Sequence, residues 1–256
     1  MPNSTVKLTK RHYYLAGVFL LVLGWQGLSM RYSQVLVPSP VETVKAMAEL
    51  YTSGELKENL IITFQRQIAG VSIGVTCGLI GGLLAGCFKR LELLMQPLIS
   101  FLLAVPAIIF VTMAMVWLGM GTNMTIFLVS LLVFPVMHTN TVEGLKSIDR
   151  TLLQMAQVYR LPRLCTISKI YLPGMRHCLV AGLSLALASS IRLTIMAEML
   201  GAREGMGQRV AIARAYLETD HLFAWVMILL AILVCLEFIV VRPLKRWGVY
   251  GPQQTE

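Results

Sequence analysis

Six apolar segments, each long enough to cross a bilayer as a helix, constrain this chain more than any other feature of its sequence. They cover residues 13–31, 59–87, 92–118, 123–143, 178–200 and 222–242. Only 14% of the residues are charged, whereas roughly a quarter are charged in soluble domains. The sequence therefore predicts an all-α membrane protein with about six transmembrane helices and no room for a soluble catalytic domain.

The basic residues lie in short clusters between the apolar segments. With the N-terminus in the cytoplasm, the larger share of the 22 Lys and Arg falls on the inner side, in agreement with the positive-inside rule. The basic start and the first apolar segment look like a signal peptide, but no small-residue cleavage site follows, so we treat the segment as a helix. The net charge of +9 does not indicate a nucleic-acid partner, because no basic surface is interleaved with aromatic residues. We expect a multi-pass protein of the cell (inner) membrane with both termini cytoplasmic.

Glycine occupies every fourth position from 70 to 86 in the second segment, which leaves one helical face open to close approach by another backbone. This face is either a tight interface within a moving bundle or ordinary helix packing, and ordinary packing is favoured. Pro97, Pro106 and Pro135 lie in or near the apolar segments and free backbone carbonyls there. Pro106 fits a broken helix at a substrate site as well as it fits a simple kink.

The longest inner segment, residues 144–177, is too polar to span the membrane. It contains two amphipathic pieces, Leu152 to Tyr159 and Leu164 to Tyr171, separated by Pro162. A loop of this length without structure of its own is uncommon, and apolar periodicity indicates helices. The segment therefore predicts a helical hairpin at the cytoplasmic face, suited to docking on a soluble partner.

Residues 154–173 read QMAQVYRLPRLCTISKIYLP, which resembles the E-A-A-x3-G-x9-I-x-L-P signature of ABC importer permeases. Ala156 and the closing residues 170–173 match the signature. Gln154 replaces its acidic residue and Arg160 replaces its glycine. Without glycine a positive φ is less accessible at this turn, although the nearby proline offers another way to fix it.

Further landmarks are similar to the nitrate/sulfonate/taurine/bicarbonate branch of these permeases, from about residue 59 to residue 245. Thr63 and Arg66 open the second helix as in that branch. The sequence AVPAIIF stands where the branch has A-I-P-P, and LGMG stands at its F-G-I-G turn. The run AEMLGAREGMG, from Ala197 to Gly207, is close to A-E-M-L-G-A-x-x-G-L-G. Several ordered landmarks at matching spacing make the resemblance specific.

The resemblance implies the type I ABC importer permease fold with a cytoplasmic coupling-helix hairpin. It also implies a partner permease, either a second copy or a close relative, with the homodimer favoured. Its other implied partners are a cytoplasmic ABC ATPase dimer that holds ATP and Mg and an extracytoplasmic substrate-binding protein. The chain has no G-x-x-x-x-G-K-[ST] sequence, so we expect it to bind no cofactor and to be no enzyme. The residues that the resemblance assigns to ATPase coupling are Gln154, Met155, Ala156, Arg160, Leu161, Pro162 and Arg163.

We expect three parts along the chain. Residues 1–58 form a cytoplasmic N-terminus, the first transmembrane helix and an extracytoplasmic segment. Residues 59–245 form the permease core with five transmembrane helices and the E-A-A-like loop at about 150–173. Residues 246–256 form a cytoplasmic tail. The implied function is translocation of a small anionic or organic solute.

Apart from the end residues of the segments, four charged residues lie inside the predicted spans, where each costs about 2.5–3.5 kcal/mol at a helix centre. Arg66, Arg192 and Glu198 fall at similar depth, and Glu237 lies near the inner end of the last span. Either the arginines attract an anionic substrate along the translocation pathway, or an arginine pairs with Glu198 and locks two helices. Pairing is favoured, and Glu237 is expected to reach a basic residue.

Two residue types raise the possibility of metal or proton chemistry. Met113, Met115, Met120 and Met124 cluster near one turn, but they lack the repeated spacing of a metal relay and methionine is a common filler of helix bundles. His138 is a proton relay, a ligand or a lone histidine bonded to a neighbouring helix, and the last is favoured. The five cysteines have no metal-ligand spacing, so no metal site is predicted.

Three other classes of protein also have apolar helices of this kind. An ion-coupled secondary transporter or channel also carries charges within apolar helices, but it predicts inverted repeats or a selectivity filter, and neither is apparent. A membrane enzyme needs paired carboxylates, a His-rich cluster or a nucleophile constellation, which the sequence does not offer. A purely structural subunit has no use for the hairpin. The substrate stays open, since nitrate, bicarbonate, sulfonates and aromatic acids all pass through relatives.

Overall fold

The computed structural model of the protein describes residues 4–33 and 35–249, and within these ranges it is helical without any strand. Two π-helical turns, Ile167–Tyr171 and Glu237–Val241, interrupt long helices. The α-helices in chain order are α1 (Ser4–Arg31), α2 (Pro40–Thr52), α3 (Glu55–Cys87), α4 (Lys89–Ala104), α5 (Ala107–Leu118), α6 (Thr122–Lys146), α7 (Arg150–Val158), α8 (Arg163–Thr166), α9 (Leu172–Gly201), α10 (Met206–Ala215), α11 (Thr219–Leu236) and α12 (Arg242–Val249).

Within the described ranges, four helical stretches are long and apolar enough to cross a membrane: Glu55–Cys87, Thr122–Lys146, Ile167–Gly201 and Thr219–Lys245. The bent pair α4 and α5 makes a fifth if it is counted as one span. These five cover the second to sixth predicted segments, so the predicted all-α membrane fold is confirmed. The first predicted segment lies in α1, and its crossing of the membrane stays a prediction.

The third predicted segment breaks into α4 and α5, which are bent by 100° at the break. Val105 between them is extended, with φ −77° and ψ 132°, and Pro106 is the N-cap of α5. A proline disfavours the helical conformation of the residue before it and has no N–H to continue the helix. The helix is therefore broken at Pro106, while a substrate role for the break stays a prediction.

The described residues form two compact units. The first draws on residues 1–58 and 209–230, and the second on residues 59–208 and 231–256. Helices α3, α10 and α11 contribute residues to both units. The predicted division of the sequence at residues 58 and 245 stays a prediction.

In the second unit the glycine face of α3 packs against α6. A Cβ added at Gly74 would lie 2.7 Å from the carbonyl oxygen of Ser130, and one added at Gly78 would lie 2.7 Å from the carbonyl oxygen of Phe134. Such distances are too short for a real carbon–oxygen contact, so α3 approaches α6 as closely as it does only because these positions lack side chains. The glycine face therefore has the packing role that the sequence favoured.

Helix α6 also packs along α9 and against α4 and α5. Its Val129 and Val133 are fully buried, in a cluster with Val71 of α3 and Ala186 of α9. Helices in lipid associate through such close van der Waals packing, because lipid tails remove the hydrophobic driving force between them. α6 is therefore the central helix of this unit.

In the first unit a capping box begins α2. The Ser39 hydroxyl accepts a hydrogen bond from the Glu42 N–H at 3.2 Å, and the Ser39 N–H donates to the Glu42 carboxylate at 2.8 Å. Trp25 of α1 donates its Nε1–H to the Pro38 carbonyl at 3.0 Å and stacks on Phe223, with ring centroids 5.7 Å apart. These contacts join α1, the start of α2 and the start of α11 within the unit.

Candidate functional site

The segment with the E-A-A-like signature folds as a helical hairpin. Asp149 caps its first helix, α7, by accepting a hydrogen bond from the Thr151 N–H at 2.8 Å. The short α8 follows, and the π-helical turn Ile167–Tyr171 then leads directly into α9. The hairpin is therefore continuous with a membrane-spanning helix, so a force applied to it reaches that helix directly.

Ala156 anchors the hairpin. It is only 5% exposed and packs in a cluster with Ile148, Ile170 and Met175. A larger side chain would separate α7 from the base of α9, which gives a physical reason for a small residue at this position of the signature. Ala156 was predicted with the ATPase contacts, but the structure places its side chain in the core.

Arg160 adopts the left-handed conformation that the signature glycine is suited to, with φ +48°. The Leu161 N–H donates to the Ala156 carbonyl at 3.0 Å, and the Arg160 N–H donates to the Gln157 carbonyl at 3.0 Å. These two bonds form a Schellman motif, which ends α7 by satisfying its last carbonyls. The turn therefore keeps its form without glycine, at the steric cost of a non-glycine residue with positive φ.

The other predicted coupling residues lie on the surface of the hairpin. The side chains of Gln154, Met155, Arg160, Leu161 and Pro162 are exposed. Arg163 begins α8, and its side chain lies outside the described residues. Five of the seven predicted side chains are thus exposed to solvent on the hairpin, and a sixth, that of Ala156, is its buried anchor.

The structure brings together two of the three charges predicted at similar depth. Arg66 and Glu198 are 3% and 0% exposed, and Arg66 Nη1 lies 3.0 Å from Glu198 Oε1. The guanidinium also donates to the Glu204 carbonyl at 2.6 Å and to the Thr122 hydroxyl at 2.9 and 3.1 Å. Its nitrogens are therefore committed to groups of α6, α9 and the loop after α9.

The carboxylate of Glu198 is equally occupied. It accepts hydrogen bonds from the Thr63 hydroxyl, at 2.8 and 3.1 Å, and from the Gly207 N–H at 3.1 Å. Gly205, with φ +106°, passes so close to this carboxylate that any Cβ would collide with it. The loop containing Gly205 thus wraps the carboxylate, and the cluster joins α3, α6 and α9 as a structural ion pair does.

The sequence singled out Thr63 only as a landmark of the resemblance, and it did not identify the other neutral side chains of this cluster, those of Asn59 and Thr122. Asn59 accepts a hydrogen bond from the Gly205 N–H at 3.0 Å, and Thr63 accepts one from the Met206 N–H at 3.0 Å. Thr122, the first residue of α6, holds the guanidinium of Arg66. The glycines that follow Glu198, at 201, 205 and 207, are the signal that could have indicated a close backbone approach there.

The remaining predicted charges lie elsewhere. Arg192 is exposed on α9 and takes no part in the hydrogen bonds of the Arg66–Glu198 cluster. Glu237 pairs with Lys245 at 3.8 Å, in agreement with the expectation that it reaches a basic residue. Arg66 and Arg192 therefore do not form a shared anion site in this arrangement.

Comparisons with known proteins agree with this fold. Residues 74–246 match the family described as the binding-protein-dependent transport system inner membrane component. In Escherichia coli (strain K12), SsuC, named as an aliphatic sulfonates transport permease protein, is 34% identical over 232 residues, which are 90% of this chain and 85% of SsuC. The protein with the same name in Bacillus subtilis (strain 168) is 31% identical over 225 residues, 86% of this chain and 81% of that protein.

Two further similarities are more distant. The taurine transport system permease protein TauC of Escherichia coli (strain K12) is 23% identical over 233 residues, 89% of this chain and 84% of TauC. A solved structure of the MetNI methionine ABC transporter in an inward facing conformation matches 76% of this chain and 96% of its own, with a TM-score of 0.61 and 17% identity. That match shows the fold alone. The predicted resemblance is thus confirmed: the chain belongs to the binding-protein-dependent transport system inner membrane component family, as a membrane-spanning permease subunit of ABC importers and not an enzyme.

Proposed function

We propose that this permease works as a pair of identical copies and couples to a cytoplasmic ABC ATPase dimer through its hairpin. The observation that supports the proposal is the hairpin of residues 149–171, which is anchored by Ala156, exposes its other predicted coupling side chains and runs without a break into the spanning helix α9. ATP and Mg belong to the ATPase in this scheme. Closure of the ATPase pushes the hairpin, and the hairpin tilts the membrane helices.

The surface of the hairpin has the composition of a docking site. Met155, Tyr159 and Leu161 are 46%, 73% and 36% exposed, although the segment is too polar to lie within the membrane. Exposed aromatic and aliphatic side chains on a surface segment favour contact with another protein. Arg160 adds a cation beside them, and its strained backbone conformation holds it at the tip of the turn.

The proposed orientation follows from the predicted topology. The hairpin and both termini lie in the cytoplasm, because the inner segments carry most of the basic residues. The loop after α9 then faces the opposite side, where an extracytoplasmic binding protein delivers the solute.

The proposed cargo is a small organic oxyanion of the sulfonate type. Two relatives, 31% and 34% identical, are named as aliphatic sulfonates transport permeases, and a third is named as a taurine transport permease. Arg66 is not the group that attracts this anion, because its nitrogens are already bonded within the cluster with Glu198. Recognition of the anion in the membrane therefore rests on other side chains.

Two tyrosines provide a matched test of docking. Tyr159 and Tyr216 are 73% and 75% exposed, and each precedes a residue with positive φ, Arg160 and Leu217 respectively. Tyr216 follows the span of α9, so it lies away from the hairpin in the predicted topology. Tyr159→Asp places a charge on the docking surface, and Tyr216→Asp makes the same change in a similar turn elsewhere.

The measurement is co-purification of each tagged variant with the partner ABC ATPase. We expect Tyr159→Asp to lose most of the ATPase that the wild type retains, and Tyr216→Asp to retain it in full. Equal retention by both variants, with both well folded by thermal unfolding, would reject the hairpin as the docking surface.

A further inference from the structure

An open cavity of about 270 Å³, with a mainly apolar surface and several polar side chains, lies between α4 and α6 in the second unit. Its polar lining comes from Gln96 and Ser100 of α4 and from His138 and Thr139 of α6. Ile99, Leu103 and Val142 supply apolar walls. Neutral hydrogen-bonding groups set among aliphatic walls are the usual lining of a site for a small ligand.

His138 is the buried member of this lining. It is only 5% exposed, and its Nε2 has no hydrogen-bond partner among the described residues. The ring packs beside Phe134, with centroids 5.8 Å apart. The hydrogen bond to a neighbouring helix that the sequence favoured for His138 is therefore not made through Nε2. A buried polar atom without a partner is costly and is commonly explained by function, by an ion or by water.

The polar residues form two facing stripes. Glu92, Gln96 and Ser100 follow one another at intervals of four along α4, and Thr139, Glu143 and Lys146 follow at intervals of three and four along α6. Residues at this spacing share one helix face. Both stripes begin near the helix ends that contain Glu92 and Lys146 and run towards the middle of the helices. His138 lies eight residues before Lys146, the last residue of α6, which is roughly 12 Å along the helix axis at 1.5 Å per residue.

Opposite charges sit together at the mouth of the cavity. Lys146 and Lys89 lie 2.7 and 3.1 Å from the carboxylate of Glu92, and Glu143 also lines the mouth. Lys89 does not itself line the cavity, but through its contact with Glu92 the two cations offset the two carboxylates. Recognition within the cavity therefore rests on its neutral donors and not on a fixed charge.

We propose that this cavity is a binding station for the transported solute and that it holds a carboxylate or sulfonate head group. An imidazole ring offers at least one N–H in either protonation state, and Gln96 and Ser100 supply an amide NH₂ and a hydroxyl. Together these donors suit the several acceptor oxygens of one oxyanion, and the aliphatic walls suit a short carbon chain. The inference rests on the proposed function, because it assigns that function's cargo to a place in the fold.

Direct binding tests the station without the other subunits. The permease, labelled with ¹⁵N-histidine and embedded in lipid nanodiscs, is titrated with ethanesulfonate and, as a neutral control, with propanol. We expect ethanesulfonate alone to shift the His138 resonances, which His138→Gln identifies among the four histidines. Loss of one hydrogen bond to a charged group in Gln96→Ala should weaken binding about tenfold or more. A shift by neither solute would mean that the cavity holds only water, and a shift by both would mean that it does not select an oxyanion; either result would overturn the proposal.

Transport separates this proposal from the function on which it rests. In vesicles containing the full importer, His138→Ala and Gln96→Ala should lower sulfonate uptake per ATP hydrolysed, whereas Ser189→Ala should not. Ser189 makes a hydrogen bond within α9 and is outside the cavity. If both cavity variants take up as much sulfonate per ATP hydrolysed as the wild type, the binding station is rejected, whereas the proposed function stands. If the wild type transports no sulfonate, the proposed cargo fails, and the nanodisc titration still decides whether the cavity binds oxyanions.

Discussion

At the scale of single residues, Arg160 shows what replacing the signature glycine does. A non-glycine residue in the left-handed region costs roughly 1–2 kcal/mol of stability. Replacing it with glycine removes this strain but increases the conformational entropy of the unfolded chain, which offsets part of the gain. We expect Arg160→Gly to stabilise the end of α7 by about 0.5–1 kcal/mol, since φ is +48° there. Hydrogen exchange of the hairpin amides should slow by about twofold to fivefold. Arg160→Ala removes the same side chain but keeps the strain, so equal protection in both variants would contradict the explanation.

A second prediction at this scale concerns Arg66, whose removal leaves the carboxylate of Glu198 buried without its cation. Breaking a buried pair in this way costs about 3–5 kcal/mol. We therefore expect Arg66→Ala to lower the thermal unfolding midpoint in detergent strongly. Arg192→Ala, which removes an exposed arginine from α9, should leave the midpoint nearly unchanged. A stable Arg66→Ala variant that fails only in transport would instead assign Arg66 to the substrate.

At the scale of helices, the contact between α3 and α6 tests whether the glycine face is needed for packing. A Cβ at Gly78 would lie 2.7 Å from a backbone oxygen of α6, whereas one at Gly81 would meet nothing closer than 3.4 Å. We expect Gly78→Ala to reduce the folded yield and the unfolding midpoint, because a backbone atom cannot move aside as a flexible side chain can. Gly81→Ala, on the same helix, should behave like the wild type. Because alanine has a higher helix propensity than glycine, similar losses in both variants would show that something other than the close contact with the α6 backbone requires these glycines.

The elements also show which features sequence patterns convey. Span positions follow from local composition, so the five spans observed lie where the apolar segments predicted them. The two π-helical turns were not predicted, although each ends two residues before a proline, Pro173 or Pro243. A proline has no N–H for the carbonyl four residues earlier, so the regular bond pattern fails there. Proline alone would not have predicted the two turns, because Pro97 and Pro135 lie inside α4 and α6 without one.

Partners across the fold were beyond the reach of sequence patterns. Arg66 and Glu198 were each identified because a charge within a span needs a partner. Their bonds to Thr122, Thr63 and the loop after α9 depend on how the helices pack, and packing is not encoded in any local spacing. The same holds for His138, because the lack of a partner for its Nε2 is seen only in the packed structure, where the ring lines the cavity between α4 and α6.

At the scale of the whole molecule, the fold, the family and the hairpin support one account: the membrane subunit of an ATP-driven importer. An ion-coupled transporter would need neither the hairpin nor a partner ATPase. The two mechanisms differ in what drives uptake, because one requires ATP hydrolysis and a loaded binding protein and the other requires only an ion gradient.

The most direct measurement is ATP hydrolysis and sulfonate uptake by lipid vesicles that contain this chain, the ATPase and the binding protein encoded beside it. The account predicts that a binding protein loaded with an aliphatic sulfonate raises ATP hydrolysis severalfold and that the sulfonate accumulates only when ATP is present. Accumulation driven by an ion gradient, by vesicles that contain this chain without any ATPase, would contradict it.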